Sequence, residues 1–261
     1  MVKTAILSSA YFGPVQWFQK LFCYDRCIIE RYDHFVKQTY RNRCVIAATQ
    51  GPQSLVVPVS VPSADSLSQP TSKEESGKTI NKGDEMGVFR QSRGKTLMRD
   101  ILVSDHANWR HLHWNALCSA YGESPFFEFY ADDLRPFFES RWKSLFQFNL
   151  DITLKLCELL DFEPHITLTN DYIISQSKVA ESTGLLQEVS SVPQVLLPDG
   201  TLADDYREVI RPKHPLPDPT FTPAPYYQVY RQKYGFLPNL SILDLLFNEG
   251  NESILYLIHN S

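Results

Sequence analysis

The first thirty residues leave few folds open. Thr4 to Ser8 reads as a buried strand, Ala10 to Gly13 as a tight loop, and Pro14 suits a first helical position, where its missing donor costs nothing. In the predicted helix to about Tyr24, Gln16, Gln19, Lys20 and Cys23 recur at i, i+3, i+4 and i+7, while Trp17, Phe18, Leu21 and Phe22 cover the other side. This is an amphipathic helix suited to lie on a sheet. Cys27 to Glu30 reads as a second strand. Such a strand-helix-strand unit nearly always makes a right-handed parallel crossover, so both strands end on one edge. Open α/β sheets bind ligands beyond the carboxyl ends of their strands. The crevice expected there is faced by Ser8, Ser9, Tyr11 and Glu30.

The chain after that edge turns abruptly polar. Glu30 and Asp33 supply carboxylates, His34 an imidazole, and Lys37, Arg41 and Arg43 cations, interleaved with Tyr32, Tyr40 and Asn42. Arginine forks bind phosphate or carboxylate bidentately, and a base that titrates near neutrality can deprotonate an attacking amine. The expected catalytic set is therefore Glu30, His34 and Lys37, with Glu30 or His34 as general base and the arginines on an anion. The expected partner is a small anionic molecule, for which a nucleotide-sugar is the example. Two other readings compete. One is a non-catalytic ligand- or partner-binding module that uses the crevice and the aromatic groups around Tyr226 and Tyr230. The other is a buried structural network of Glu30, Lys37, Arg41 and Arg43, since ion networks also perturb charges.

Further on, Arg43 to Ala48 and Ser54 to Ser60 read as a hairpin turning at Gln50-Gly51-Pro52 and extending the sheet antiparallel. Residues 61–95 are rich in Ser, Lys, Glu and Gly and are expected to be a mobile insert. Gly77-Lys78-Thr79 and Gly94-Lys95-Thr96 imitate a phosphate loop, but the required upstream glycine positions hold Ser72 and Phe89, so the motif is rejected. Ser104-Asp105 is a candidate cap for a helix running to Tyr121. His111 and His113, two apart on that helix, face different ways and cannot share a metal ion; His113 reads as a packed core or pocket residue. Ser124-Pro125 restarts a helix, and Trp142 to Leu160 is a long buried one with Asn149 as its polar exception. His165 to Thr169 alternates as a further strand, and 171–225 reads as an extended, proline-rich, irregular segment. Within it Tyr206, Arg207, Arg211, Lys213 and His214 form a basic patch, read as a solvated face. Near the end Ser241 and Asp244 resemble a capping box for the helix Ile242 to Asn248, which Gly250 stops.

The fold expected is α/β: one domain over 1–261, with a mixed sheet started by the strand-helix-strand unit and a predominantly helical second half. A net charge of -5 argues against a protein that coats nucleic acid. No segment approaches the roughly 20 apolar residues of a membrane span, and no signal peptide is recognised. The five cysteines match neither a disulfide framework nor a redox pair and read as reduced thiols, so the chain is expected to be cytoplasmic. No cofactor and no metal is assigned.

Three blocks carry a resemblance: Ala10-Tyr11-Phe12-Gly13-Pro14 through Lys20, Thr39-Tyr40-Arg41-Asn42-Arg43 leading to Leu55-Val56-Val57-Pro58-Val59, and Asn239 through Gly250. With Trp109 to Leu117 and Tyr121 to Phe127, they resemble the WbqC-like family. The resemblance implies a setting in bacterial surface-polysaccharide (O-antigen-type) biosynthesis and a transferase that moves an acyl or aminoacyl group, glycine-like, onto an activated amino sugar. Taken with the strand-end argument, the blocks make the expected ligand-binding set Tyr11, Tyr40, Arg41, Asn42, Arg43, His113, Asn239, Asp244 and Asn248.

Overall fold

A computed structural model describes residues 2–62, 96–174 and 192–258. The insert expected over 61–95 lies outside the described residues beyond residue 62, as do Gly77-Lys78-Thr79 and Gly94-Lys95. In chain order the strands are β1 (Thr4–Ser8), β2 (Arg26–Glu30), β3 (Arg43–Ala48), β4 (Gly51–Val56), β5 (Val59–Ser60), β6 (Leu102–Val103), β7 (Ile166–Leu168), β8 (Gln194–Leu196) and β9 (Leu202–Asp205). The helices are α1 (Val15–Cys23), α2 (Trp109–Tyr121), α3 (Phe127–Leu134), α4 (Pro136–Glu139), α5 (Leu145–Leu159), α6 (Arg231–Tyr234), α7 (Ile242–Glu249) and α8 (Ser253–Leu257).

The class is α/β, built on a mixed five-stranded sheet ordered β7-β2-β1-β9-β8. β1 and β2 are parallel, from Thr4 opposite Arg26 to Ser8 opposite Glu30. β9 pairs parallel on the other side of β1, β7 parallel outside β2, and β8 antiparallel outside β9. The alternation of a strand splits its side chains between two faces. Ala5, Leu7, Cys27 and Ile29 enter the main core, and Ile6 and Ile28 join Val195, Leu197 and Ala203 in a second cluster.

Several sequence expectations need correcting. The β3–β4 hairpin does not extend the main sheet; it is a separate two-stranded sheet, turning through Thr49 and Gln50, with Ala48 opposite Gly51. Gly51 has φ +102, which explains a glycine at that corner. Val59 and Ser60 leave the hairpin and pair with β6. The segment 171–225 contains β8 and β9, joined by Pro198-Asp199-Gly200, and β9 lies beside the central strand. Tyr206 and Arg207 are consequently buried and are not part of a solvated face. Helix α2 begins at Trp109 after a short 3-10 turn, with no side-chain cap, instead of at Ser104-Asp105. α5 starts later than Trp142, where the Ser144 hydroxyl accepts from the Gln147 amide at 3.3 Å.

Gln16, Gln19 and Lys20 of the polar stripe of α1 are also buried. Lys20 Nζ donates to Asp218 at 2.8 Å, to Thr220 at 2.8 Å and to Gln19 at 2.9 Å, and Gln16 donates to Asp218 at 2.8 Å. The proline-rich stretch thus straps over the face that periodicity assigned to solvent. The closing block caps the same helix. Val15 N–H donates to the Leu240 carbonyl at 3.0 Å and Gln16 N–H to Asn239 Oδ1 at 3.0 Å, so two donors with no intrahelical acceptor are paired across the chain.

Candidate functional site

β1, β2, β7 and β9 deliver Ser8, Glu30, Thr169 and Asp205 to one carboxyl edge of the sheet. Glu30 is fully buried, and both its oxygens are used. One accepts from the Tyr32 amide at 2.8 Å and the Thr169 hydroxyl at 2.7 Å; the other accepts from the Ile173 amide at 3.0 Å and Arg207 at 3.4 Å. Arg207 is bound in a fork by Asp205, at 2.9 and 2.7 Å, and lies over the Tyr172 ring. Burial works to lower its pKa, but Asp205, with Tyr172 and Glu30 adding to it, holds the guanidinium pKa above its ordinary value. The edge is therefore floored by an Asp-Arg-Glu triad.

Above that floor, the loop after β2 folds back along the strand ends. Arg41 is 4% exposed; its Nη2 contacts Asp33 and donates to the Ser8 hydroxyl at 2.9 Å. Its Nε–H finds no partner among the described residues, and neither does the buried Nε–H of Arg31 or Arg43. A narrow crevice of about 10 Å3 runs past Arg41, lined by Ser8, Ser9, Thr39, Tyr40 and Tyr206, room for about one water. Burial, with Cys44 adding to it, pushes the Tyr40 hydroxyl up to about 12. Arg31, on the same loop, lies over the Tyr32 ring at 5.3 Å, and Arg99 lies over it at 4.4 Å. Residues 31–35 are tied to 96–99 through Met98 N–H to the Asp33 carbonyl at 2.8 Å and Phe35 N–H to the Thr96 carbonyl at 2.9 Å. His34 and Lys37 are exposed on this loop.

The structure brings Tyr40 and Arg41 to the crevice and turns most of the other expected ligand residues inward. Tyr11 donates to His113 Nδ1 at 2.9 Å; burial lowers His113 to about 4, opposed by its hydrogen bond to the Val56 backbone. A neutral ring that accepts at Nδ1 carries its proton on Nε2. Asn42 bonds Val57 twice, its backbone carbonyl accepting from the Val57 amide at 2.8 Å and its side-chain amide donating to the Val57 carbonyl at 2.9 Å, and half-buried Arg43 opens β3. Asn239 caps α1. Asp244 is not a capping-box acid: its carboxyl accepts from Tyr121 at 2.9 Å, Tyr226 at 2.6 Å and Gln228 at 2.8 Å. Burial raises its pKa, opposed by those three hydrogen bonds. Asn248 donates to the Asp244 carbonyl at 2.6 Å, and Asn149 ties the crevice to α5 through Ser9 at 2.9 Å and the Arg41 carbonyl at 2.8 Å.

The sequence reading missed Thr169, Asp205 and Arg207 as members of the edge. A signal for β9 was present: Pro198-Asp199-Gly200 stands between Val195-Leu196-Leu197 and Leu202-Ala203, a turn signature between apolar runs.

Together these features define an α/β protein with a candidate site at the carboxyl edge of a mixed sheet, floored by buried ion pairs and lined by Arg41. Among the described residues, no helix is long and apolar enough to cross a membrane. The chain belongs to the WbqC-like protein family, whose sequence model matches residues 85–256. The uncharacterised protein Rv1507c of Mycobacterium tuberculosis (strain ATCC 25618 / H37Rv) is 28% identical over 259 residues, which is 98% of each chain. No solved structure matches. The match takes in Asn239 to Gly250 and the Trp109 to Phe127 region, while the opening and central blocks lie before it.

Proposed function

We propose that the strand-end crevice holds an anionic group of a small molecule, and that the protein transfers an acyl or aminoacyl group, glycine-like, to an activated amino sugar in bacterial surface-polysaccharide (O-antigen-type) biosynthesis. The observation that carries the anion is Arg41, buried at the strand ends in a crevice it lines with Ser8 and Ser9, with an Nε–H that has no partner among the described residues. A guanidinium so placed offers a charge-assisted donor, and the crevice, with room for about one water, has to widen at its Thr39–Arg41 wall for a phosphate or carboxylate to take it. In this reading the acceptor amine attacks the donor's carbonyl carbon. A C–N bond forms, the bond to the leaving group breaks with its electron pair, and the base takes the amine proton. His34 on the same loop is the base and Lys37 the cation that meets the ligand's outer charge, because Glu30 is already engaged by four donors. The sugar and the setting rest on the family.

The test is native mass spectrometry and thermal shift with nucleotide-sugars, aminoacyl donors and simple phosphates on wild type, Arg41→Lys and His34→Ala. The expected result is a ligand shift lost in Arg41→Lys, which keeps the charge but not the fork, and turnover lost in His34→Ala with the melting temperature unchanged. A shift untouched in Arg41→Lys overturns the crevice assignment. The narrowness of the crevice favours a second reading, a non-catalytic binding module of the same pathway. That reading predicts saturable binding with no covalently altered product.

A further inference from the structure

We propose that a second cavity, at the start of α2 and apart from the crevice, binds a nucleoside diphosphate, with its phosphates on Arg110, Arg135 and Arg141 and its base on the Trp114 indole. The cavity has about 280 Å3 of open space and is lined by these four residues with His111 and Glu139 among others. That is close to the lower end, about 300 Å3, of ordinary ligand pockets. Its residues share none of the crevice's, so the inference stands without that reading.

The charges around the cavity are paired but not consumed. Arg110 contacts Asp105 through Nη2 and keeps a buried Nε–H that has no partner among the described residues. Arg135 is held by Glu139 at 2.6 Å, and Arg141 approaches Asp105 at 3.7 Å. Three guanidiniums thus share two carboxylates, and each arginine fork has donors to spare. The start of α2 adds to the excess. This 13-residue helix has no side-chain cap and no acid in its first turn, and Arg110 and His111 occupy that turn. The Arg110 cation there opposes the helix dipole, and the first amides have no intrahelical acceptor; an anion relieves both. Trp114 is half-buried and backed by Phe138 and Phe127, with ring centroids 5.5 and 6.0 Å away. A fixed indole next to arginine forks suits a flat base that carries phosphates, as aromatic stacking and bidentate pairing act on different ends of one ligand.

Isothermal titration calorimetry of the full chain with ADP, inorganic pyrophosphate and adenosine tests this. ADP is expected to bind most tightly. The Arg135→Ala/Arg141→Ala double variant, altered at two exposed positions, should weaken ADP and pyrophosphate by about tenfold or more, the scale of a hydrogen bond to a charged group. Glu139→Gln should tighten both, because it releases Arg135. Trp114→Leu should bring ADP down to the pyrophosphate affinity while leaving pyrophosphate unchanged. Phosphate binding at the crevice is removed by Arg41→Lys, so the ADP binding that survives in Arg41→Lys and is lost when Arg135→Ala/Arg141→Ala is added to it belongs to this cavity. No binding of ADP, or equal ADP affinity in wild type and the double variant, overturns the proposal.

Discussion

Two buried titratable side chains pull the stability of this protein in opposite directions with pH. His113 has a pKa lowered from 6.5 to about 4, so between those values the unfolded chain binds the extra proton. Stability then rises with pH through that window and is lost on acidification, by about 2 kcal/mol at pH 5. Asp244 has the opposite sign. Its raised pKa means the native carboxyl holds its proton above the ordinary carboxylate pKa, so its contribution falls as pH rises from that value to the raised one. Urea titrations from pH 4 to 7 should therefore show a flatter curve for His113→Gln and a steeper loss on acidification for Asp244→Asn. The same measurement separates structure from chemistry at the crevice. Glu30→Ala leaves the Tyr32 and Ile173 amides and the Thr169 hydroxyl without their acceptor and should cost about 1–3 kcal/mol or more, whereas exposed His34→Ala should leave stability unchanged.

At the scale of elements, α1 is secured on a face that its own pattern marks as outside. The Lys20–Asp218 pair is buried on both sides, with side-chain exposures of 1% and 4%. Burial lowers the Lys20 pKa while Asp218 opposes that shift, and Asp218 is held below the carboxylate range by Lys20, Gln16 and Thr220 against the effect of burial. Lys20→Met leaves an uncompensated carboxylate under the strap and should destabilise by roughly 3–5 kcal/mol. Lys20→Met/Asp218→Leu should recover much of that, and a double-mutant cycle reads the coupling. The turn after α7 is equally constrained: Gly250 has φ +58, and an added Cβ would sit 2.8 Å from the Phe126 ring. Gly250→Ala should cost roughly 1–3 kcal/mol through strain and overpacking, read as a lower urea midpoint.

At the scale of the whole molecule, the sheet predicts where the fold opens first. β1 is paired on both sides, while β7 and β8 are edges. Hydrogen exchange should show β1 amides opening only with global unfolding and β7 and β8 amides exchanging through local opening. The same topology explains what could be read in advance. The β1-α1-β2 unit, the α5 core helix and the glycine stop after α7 were legible because periodicity and punctuation are local properties of ten or twenty residues. Of the site, the sequence by itself determined which edge collects Ser8, Glu30 and the Arg41 loop, since parallel crossover follows from chirality. Only the tertiary structure decided what those groups do there. Glu30 meets Arg207 across 177 residues, Lys20 meets Asp218 across nearly two hundred, and Tyr11 meets His113 across 102. The side chain of Glu30 is written the same whether it faces water as a base or lies under a sheet edge with four donors on it. That choice rests on β9 slotting in beside β1, a four-residue strand too short for its alternation to announce a place in the sheet. Its two aspartates, polar in any local pattern, are stabilised there by partners that sequence spacing does not reveal: Tyr24 for Asp204 at 2.6 Å and Arg207 for Asp205 at 2.7 Å.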